Sequence, residues 1–117
     1  MRVIGFDPGT ATTGYGVVEC RSNRLTHIAH GVITTPADLF FADRLKIIYE
    51  EAQRLLVSFH PDAVAIERLY FKQNVTTGIA VAQARGVLAL AATQAGLPIG
   101  QFSPTEAKTA VTGYGNA

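Results

Sequence analysis

The sequence predicts an α/β domain built on a mixed five-stranded sheet, with elements in the order β-β-β-α-β-α-β-α and helices on the faces of the sheet. Three observations predict it. Two short apolar runs, residues 2–7 and 62–67, each end on an acid and each read as a buried strand. Residues 2–34 hold three strand-like segments separated by short turn signals, which marks an antiparallel meander. Beyond residue 34 the apolar spacing changes to three and four, and helix-like and strand-like segments alternate, which marks parallel pairing through helical crossovers.

The elements follow in order. Residues 2–7 form the first strand, closed by the breaker pair Pro8-Gly9 and a loop of small residues, 8–13. Residues 14–20 read as the second strand, 21–24 as a tight turn and 25–34 as the third strand. Thr35-Pro36-Ala37-Asp38 supplies a capping hydroxyl, a proline for the first helical position and an acid at the third, which predicts a helix start. Leu39, Phe40, Leu45, Ile48, Tyr49, Ala52, Leu55, Leu56 and Phe59 then recur on one helical face, with Asp43, Arg44, Lys46, Glu50, Glu51 and Arg54 on the other. His60-Pro61-Asp62 ends that helix and the fourth strand runs to Glu67. After the loop 68–75 comes an apolar helix over 76–95, stopped at Gly96. Residues 97–102 read as the fifth strand, and Ser103-Pro104-Thr105-Glu106 opens a last helix over 104–111. Strand-helix-strand connections make the first, fourth and fifth strands parallel.

The bulk numbers bound the function. A length of 117 residues suits one domain, 1–117, and 48% hydrophobic residues supply a sizeable core. A net charge of +1 does not mark a strongly basic nucleic-acid binder, although local placement matters more than the sum. Cys20 is the single cysteine, so no disulfide framework exists; a reducing cytoplasm is the simplest compartment, and Cys20 is expected as a small buried residue. The apolar stretch 76–96 contains Gln83, Arg85 and Gln94, and an arginine near a bilayer centre costs about 2.5–3.5 kcal/mol on insertion scales, so it reads as a protein-buried helix. His27 and His30, three apart on a strand, are expected on opposite faces, and with His60 are assigned structural roles.

Asp7 and Glu67 carry the chemistry. A charge at the end of an apolar strand costs heavy desolvation unless something pairs with it. If the two strands are parallel neighbours, both carboxylates emerge at one sheet edge, where like charges call for a shared proton or a divalent cation. Taken singly, each acid could simply serve the turn that follows it. The Gly/Thr loop after Asp7 could also cradle a nucleotide phosphate through its backbone N–H groups. The loop 68–74 joins Arg68 and Lys72 to Tyr70, Phe71 and Asn74, a mixture suited to phosphates and to stacking on unpaired bases. Arg85 interrupts an apolar helix and either reaches a phosphate or pairs with an acid in the fold.

Several stretches together resemble the RuvC family of Holliday-junction resolvases, in the RNase H-like superfamily. They are Gly5-Phe6-Asp7-Pro8-Gly9 with Thr13-Gly14-Tyr15-Gly16, Ala65-Ile66-Glu67 with Asn74, Gln83-Ala84-Arg85-Gly86, and Lys108 with Val111-Thr112-Gly113-Tyr114-Gly115. The resemblance implies an RNase H-like fold and a Mg2+-dependent endonuclease, with Mn2+ as an alternative ion, acting on four-way DNA junctions in recombination and repair. It implies that Asp7 and Glu67 are catalytic metal ligands, that Lys108 lies near the active site, and that Tyr70, with Phe71 beside it, contacts bases at the junction centre. It also implies branch-migration proteins as partners.

Family members continue well beyond Ala117 into a helix with further acidic ligands, whereas here nothing after Glu106 is acidic. The chain is therefore expected to be C-terminally incomplete relative to the family, and weak or inactive as a nuclease. A homodimer is expected through the helix 76–95, with Ile79, Val87 and Leu90 as contacts, because a C2 pair matches the two-fold symmetry of a junction. Two other readings stand beside this one. One is a non-catalytic junction-binding or dimerisation module; the other is a phosphate-binding member of the actin and sugar-kinase superfamily, which normally needs two such domains.

Overall fold

Strand β1 (Arg2–Asp7) takes the middle of a five-stranded sheet, where both its edges find ladder partners. The computed structural model describes residues 1–67 and 75–102; the expected helix 104–111 lies outside them. On one side β1 pairs antiparallel with β2 (Thr12–Arg21), which pairs antiparallel with β3 (Arg24–Thr34). On the other it pairs parallel with β4 (Ala63–Glu67), which pairs parallel with β5 (Ile99–Phe102). The order across the sheet is β3-β2-β1-β4-β5, with α1 (Phe41–Phe59) leading into β4 and α2 (Val75–Gln94) into β5. The meander and the parallel set agree with the sequence reading.

One apolar cluster joins the layers. Ile4 and Phe6 of β1, Val17 of β2, Ile33 of β3 and Val64 and Ile66 of β4 meet Ile48, Ala52, Leu55 and Leu56 of α1 and Ala84, Leu88, Ala91 and Ala92 of α2. Burying each large side chain of this set contributes about 1.5–3 kcal/mol. Both described helices therefore lie on the same face, where the sequence reading placed helices on the faces of the sheet. Handedness explains it. Helix α1 joins β3 to β4 and α2 joins β4 to β5. These three strands run parallel, both steps move in one direction across the sheet, and right-handed crossovers then put both helices on one side.

Local chemistry sets the turns. Ser22 and Asn23 both have positive φ, 49° and 64°, as a two-residue hairpin matched to strand twist requires. Helix α1 ends with His60 in the left-handed region, its N–H donating to the Leu56 carbonyl, and Pro61 prevents continuation. Helix α2 stops at Gly96, whose φ of +75° lets its own N–H reach the Thr93 carbonyl and the Leu97 N–H reach that of Ala92. Gly31 leaves room for Tyr15: a Cβ there would stand 2.7 Å from the tyrosine hydroxyl oxygen.

Three sequence expectations are corrected. Helix α1 begins at Phe41 rather than near Pro36, with Phe40 as N-cap and no side-chain cap. The Thr35 hydroxyl is engaged elsewhere, with the Thr10 carbonyl, so it cannot serve the helix N–H groups; Phe40 and Phe41 are left exposed, in edge-to-face contact at 4.8 Å. Cys20 is exposed rather than buried: its backbone pairs with Met1 at the end of β2, and alternation from buried Val17 turns its side chain to the face away from the helices. His27 and His30 share a face, with His27 Nε2 2.8 Å from His30 Nδ1. The ladder jumps from Val17↔Ala29 to Val18↔His27, so a bulge at Ile28 resets the alternation between them.

Candidate active site

The parallel register of β1 and β4 sets Phe6 beside Ile66, so the next residues, Asp7 and Glu67, end neighbouring strands side by side. Alternation decides their direction. Phe6 and Ile66 are fully buried under the helices, so Asp7 and Glu67 turn to the opposite face. Asp7 is exposed and Glu67 half-buried. Burial first, then a hydrogen bond and the negative charge of Asp7, push the Glu67 carboxyl up to about 7. Burial and the neighbouring Asp7 thus favour the neutral form of Glu67. Two carboxyls that share one proton form a donor set that a hard divalent ion fits, since the ion replaces the proton and takes oxygen ligands from both. Among the described residues no cluster of three or more His, Cys, Asp or Glu side chains is placed to hold a metal.

The loop after Asp7 is held on two sides. Fully buried Thr13 donates its hydroxyl to the Gly9 carbonyl at 2.6 Å and accepts the Gly9 N–H at 3.3 Å. Gly9 is required here, because a Cβ would stand 2.4 Å from the Thr12 carbonyl oxygen. From the other side, the Thr35 hydroxyl donates to the Thr10 carbonyl at 2.5 Å and the Thr35 N–H to that of Ala11 at 3.1 Å. Arg44 of α1 donates its Nε–H to the same hydroxyl at 2.8 Å. Sequence reasoning missed this clasp. Thr35 reads as a helix cap and Arg44 as part of a solvated face, and only the tertiary fold brings them to a loop 25 residues upstream.

Arg85 is half-buried on α2, and its Nε–H points at the Glu67 carbonyl at 3.4 Å, at the end of β4. That partner is a backbone carbonyl, whereas the sequence reading set an acid in the fold against a phosphate. Arg68, Tyr70, Phe71, Lys72, Asn74 and Lys108 lie outside the described residues. On α2, Ile79 and Leu90 are 51% and 48% exposed, whereas Val87 packs partly against the core and is not part of the exposed stripe. No helix among the described residues is long and apolar enough to cross a membrane.

A mixed sheet in this order, with two acids ending its central parallel strands, has the architecture of an RNase H-like protein. Residues 3–117 match the family model described as crossover junction endodeoxyribonuclease RuvC. A RuvC of that name from Thermosipho melanesiensis is 50% identical over all of this chain and 74% of its own length, and one from Syntrophomonas wolfei is 48% identical over all of this chain and 68% of its own. The solved Thermus thermophilus RuvC structure superposes with a TM-score of 0.81 at 30% identity, covering 100% of this chain and 72% of that one. The T. thermophilus RuvC in complex with Holliday junction substrate gives 0.80 at 28% identity, covering 91% of this chain and 66% of that one. The chain belongs to the RuvC family of crossover junction endodeoxyribonucleases.

Proposed function

We propose that this chain acts on four-way DNA junctions as a divalent-metal-dependent endonuclease, hydrolysing phosphodiester bonds in recombination and repair. The observation that carries the reading is the hydrogen-bonded Asp7–Glu67 pair at the ends of β1 and β4. Asp7 and Glu67 are the ligands, with Mg2+ as the ion and Mn2+ as its substitute. A divalent ion there supplies positive charge that acidifies an attacking water and offsets charge on the phosphate in flight. Lys108 is the candidate cation for the same charge, and Arg68, Tyr70, Phe71, Lys72, Asn74 and Arg85 are the candidate DNA contacts. The exposed stripe of α2 around Ile79 and Leu90 packs against a second copy, giving a C2 dimer with one site for each of two junction strands. Cytoplasmic location and branch-migration partners belong to the same reading.

Two-ion phosphodiester hydrolysis needs ligands for both ions, and one pair of carboxylates supplies few. A polypeptide of these 117 residues, which spans 74% and 68% of the length of the two relatives above, is expected to bind four-way junctions in preference to linear duplex. Gel assays with a synthetic four-way junction, a linear duplex of equal length and either Mg2+ or Mn2+ test this. The reading requires preference for the junction, and loss of any nicking in Asp7→Asn and Glu67→Gln. Equal affinity for duplex and junction overturns the substrate assignment; nicking that survives both substitutions overturns the site.

A further inference from the structure

We infer that Thr35 and Arg44 are positioning residues for the candidate metal ligand Asp7, acting through the loop between β1 and β2; this rests on the metal-site reading above. The Asp7 carboxylate is exposed, so its direction is set by the backbone that carries it and less by packing. That backbone continues directly into residues 8–12, where three successive carbonyls are each held. Gly9 O accepts from the Thr13 hydroxyl, Thr10 O from the Thr35 hydroxyl and Ala11 O from the Thr35 N–H. Thr35 is buried, and one residue thus fixes two consecutive peptide groups with its backbone and its side chain together.

Arg44 gives the clasp its strength and its direction. Its guanidinium donates to the Thr35 oxygen at 2.8 Å. An oxygen that accepts from a cation becomes a better donor, so the Thr35 O–H bond to Thr10 is polarised by its neighbour. The Arg44 N–H donates in turn to the Phe40 carbonyl, so the relay is anchored in the first turn of α1. Helix α1 is itself locked into the core by Ile48, Ala52, Leu55 and Leu56. A rigid helix therefore fixes the loop that follows a metal ligand, which is the part played by outer-shell groups in metal sites.

The test is Mn2+ uptake by the chain, read by electron paramagnetic resonance of free Mn2+ at a temperature well below every unfolding midpoint. Wild type is compared with Thr35→Val, Thr35→Ser, Arg44→Gln and Asp7→Asn. Thr35→Val keeps the shape and removes the hydroxyl, and Mn2+ affinity is expected to fall about tenfold. Thr35→Ser keeps the hydroxyl and is expected to remain near wild type, and Arg44→Gln to weaken binding by a smaller factor than Thr35→Val. Wild-type affinity in Thr35→Val, whatever its melting temperature, overturns the positioning role and leaves the clasp as a fold element only. Uptake that is equal in wild type and Asp7→Asn overturns the metal-site reading beneath it instead.

Discussion

The two faces of this sheet are made by the same strands and obey different rules. Toward the helices, Ile4, Phe6, Val64 and Ile66 are almost fully buried. Away from them, the alternate positions are Val3, Gly5, Asp7, Ala63, Ala65 and Glu67, small residues that end in two acids. The covered face is chosen for burial, which stabilises the fold. The other is chosen for access, and it carries a carboxyl pair whose like charges oppose the fold. Neighbouring residues on one strand, Ile66 and Glu67, should therefore answer mutation with opposite sign.

The largest effect is on the covered face. Ile66→Ala removes a fully buried side chain from the central cluster and should cost about 2–5 kcal/mol in denaturant unfolding. A cost near zero would show that this face is not the closed core described above.

Glu67→Gln should do the reverse, and the sign depends on pH. The folded-state carboxyl titrates near 7, above its ordinary value of 4.5. Its contribution to stability is thus complete below about pH 4.5 and is lost as pH rises through 7. In chelator, Glu67→Gln should melt a few degrees above wild type at pH 8, and the gain should shrink toward pH 5. An unchanged difference between pH 5 and pH 8 would break the link between Glu67 and Asp7.

The smallest effect concerns α2. Ile79→Asp places a charge on the exposed stripe and should shift sedimentation mass toward monomer without lowering the melting temperature, since Ile79 lies outside the core. A mass equal to wild type across a concentration series would remove α2 from the dimer interface.

The sequence made the acid pair and the sheet legible for one reason. An apolar run that ends in a charge is rare and local, and two of them pair through topology rules alone. It misplaced what depends on distant partners. Thr35-Pro36-Ala37-Asp38 is a sound capping signal, yet Thr10 and Arg44 take the hydroxyl. His27 and His30 follow strand alternation until one extra residue, Ile28, bulges out of the ladder. Arg85 reads equally as a phosphate contact or the partner of an acid in the fold, and it meets the Glu67 backbone carbonyl instead, because an arginine in an apolar helix says only that it needs a partner.

The central claim is that Asp7 and Glu67 share one divalent ion. Crystals of the chain in Mn2+ at pH 8, measured at a wavelength where manganese scatters anomalously, test it most directly. One anomalous peak bonded to carboxylate oxygens of both residues, absent in Asp7→Asn, is the result expected. A peak on one acid alone, or no peak with the two carboxyls still sharing a proton, would contradict it.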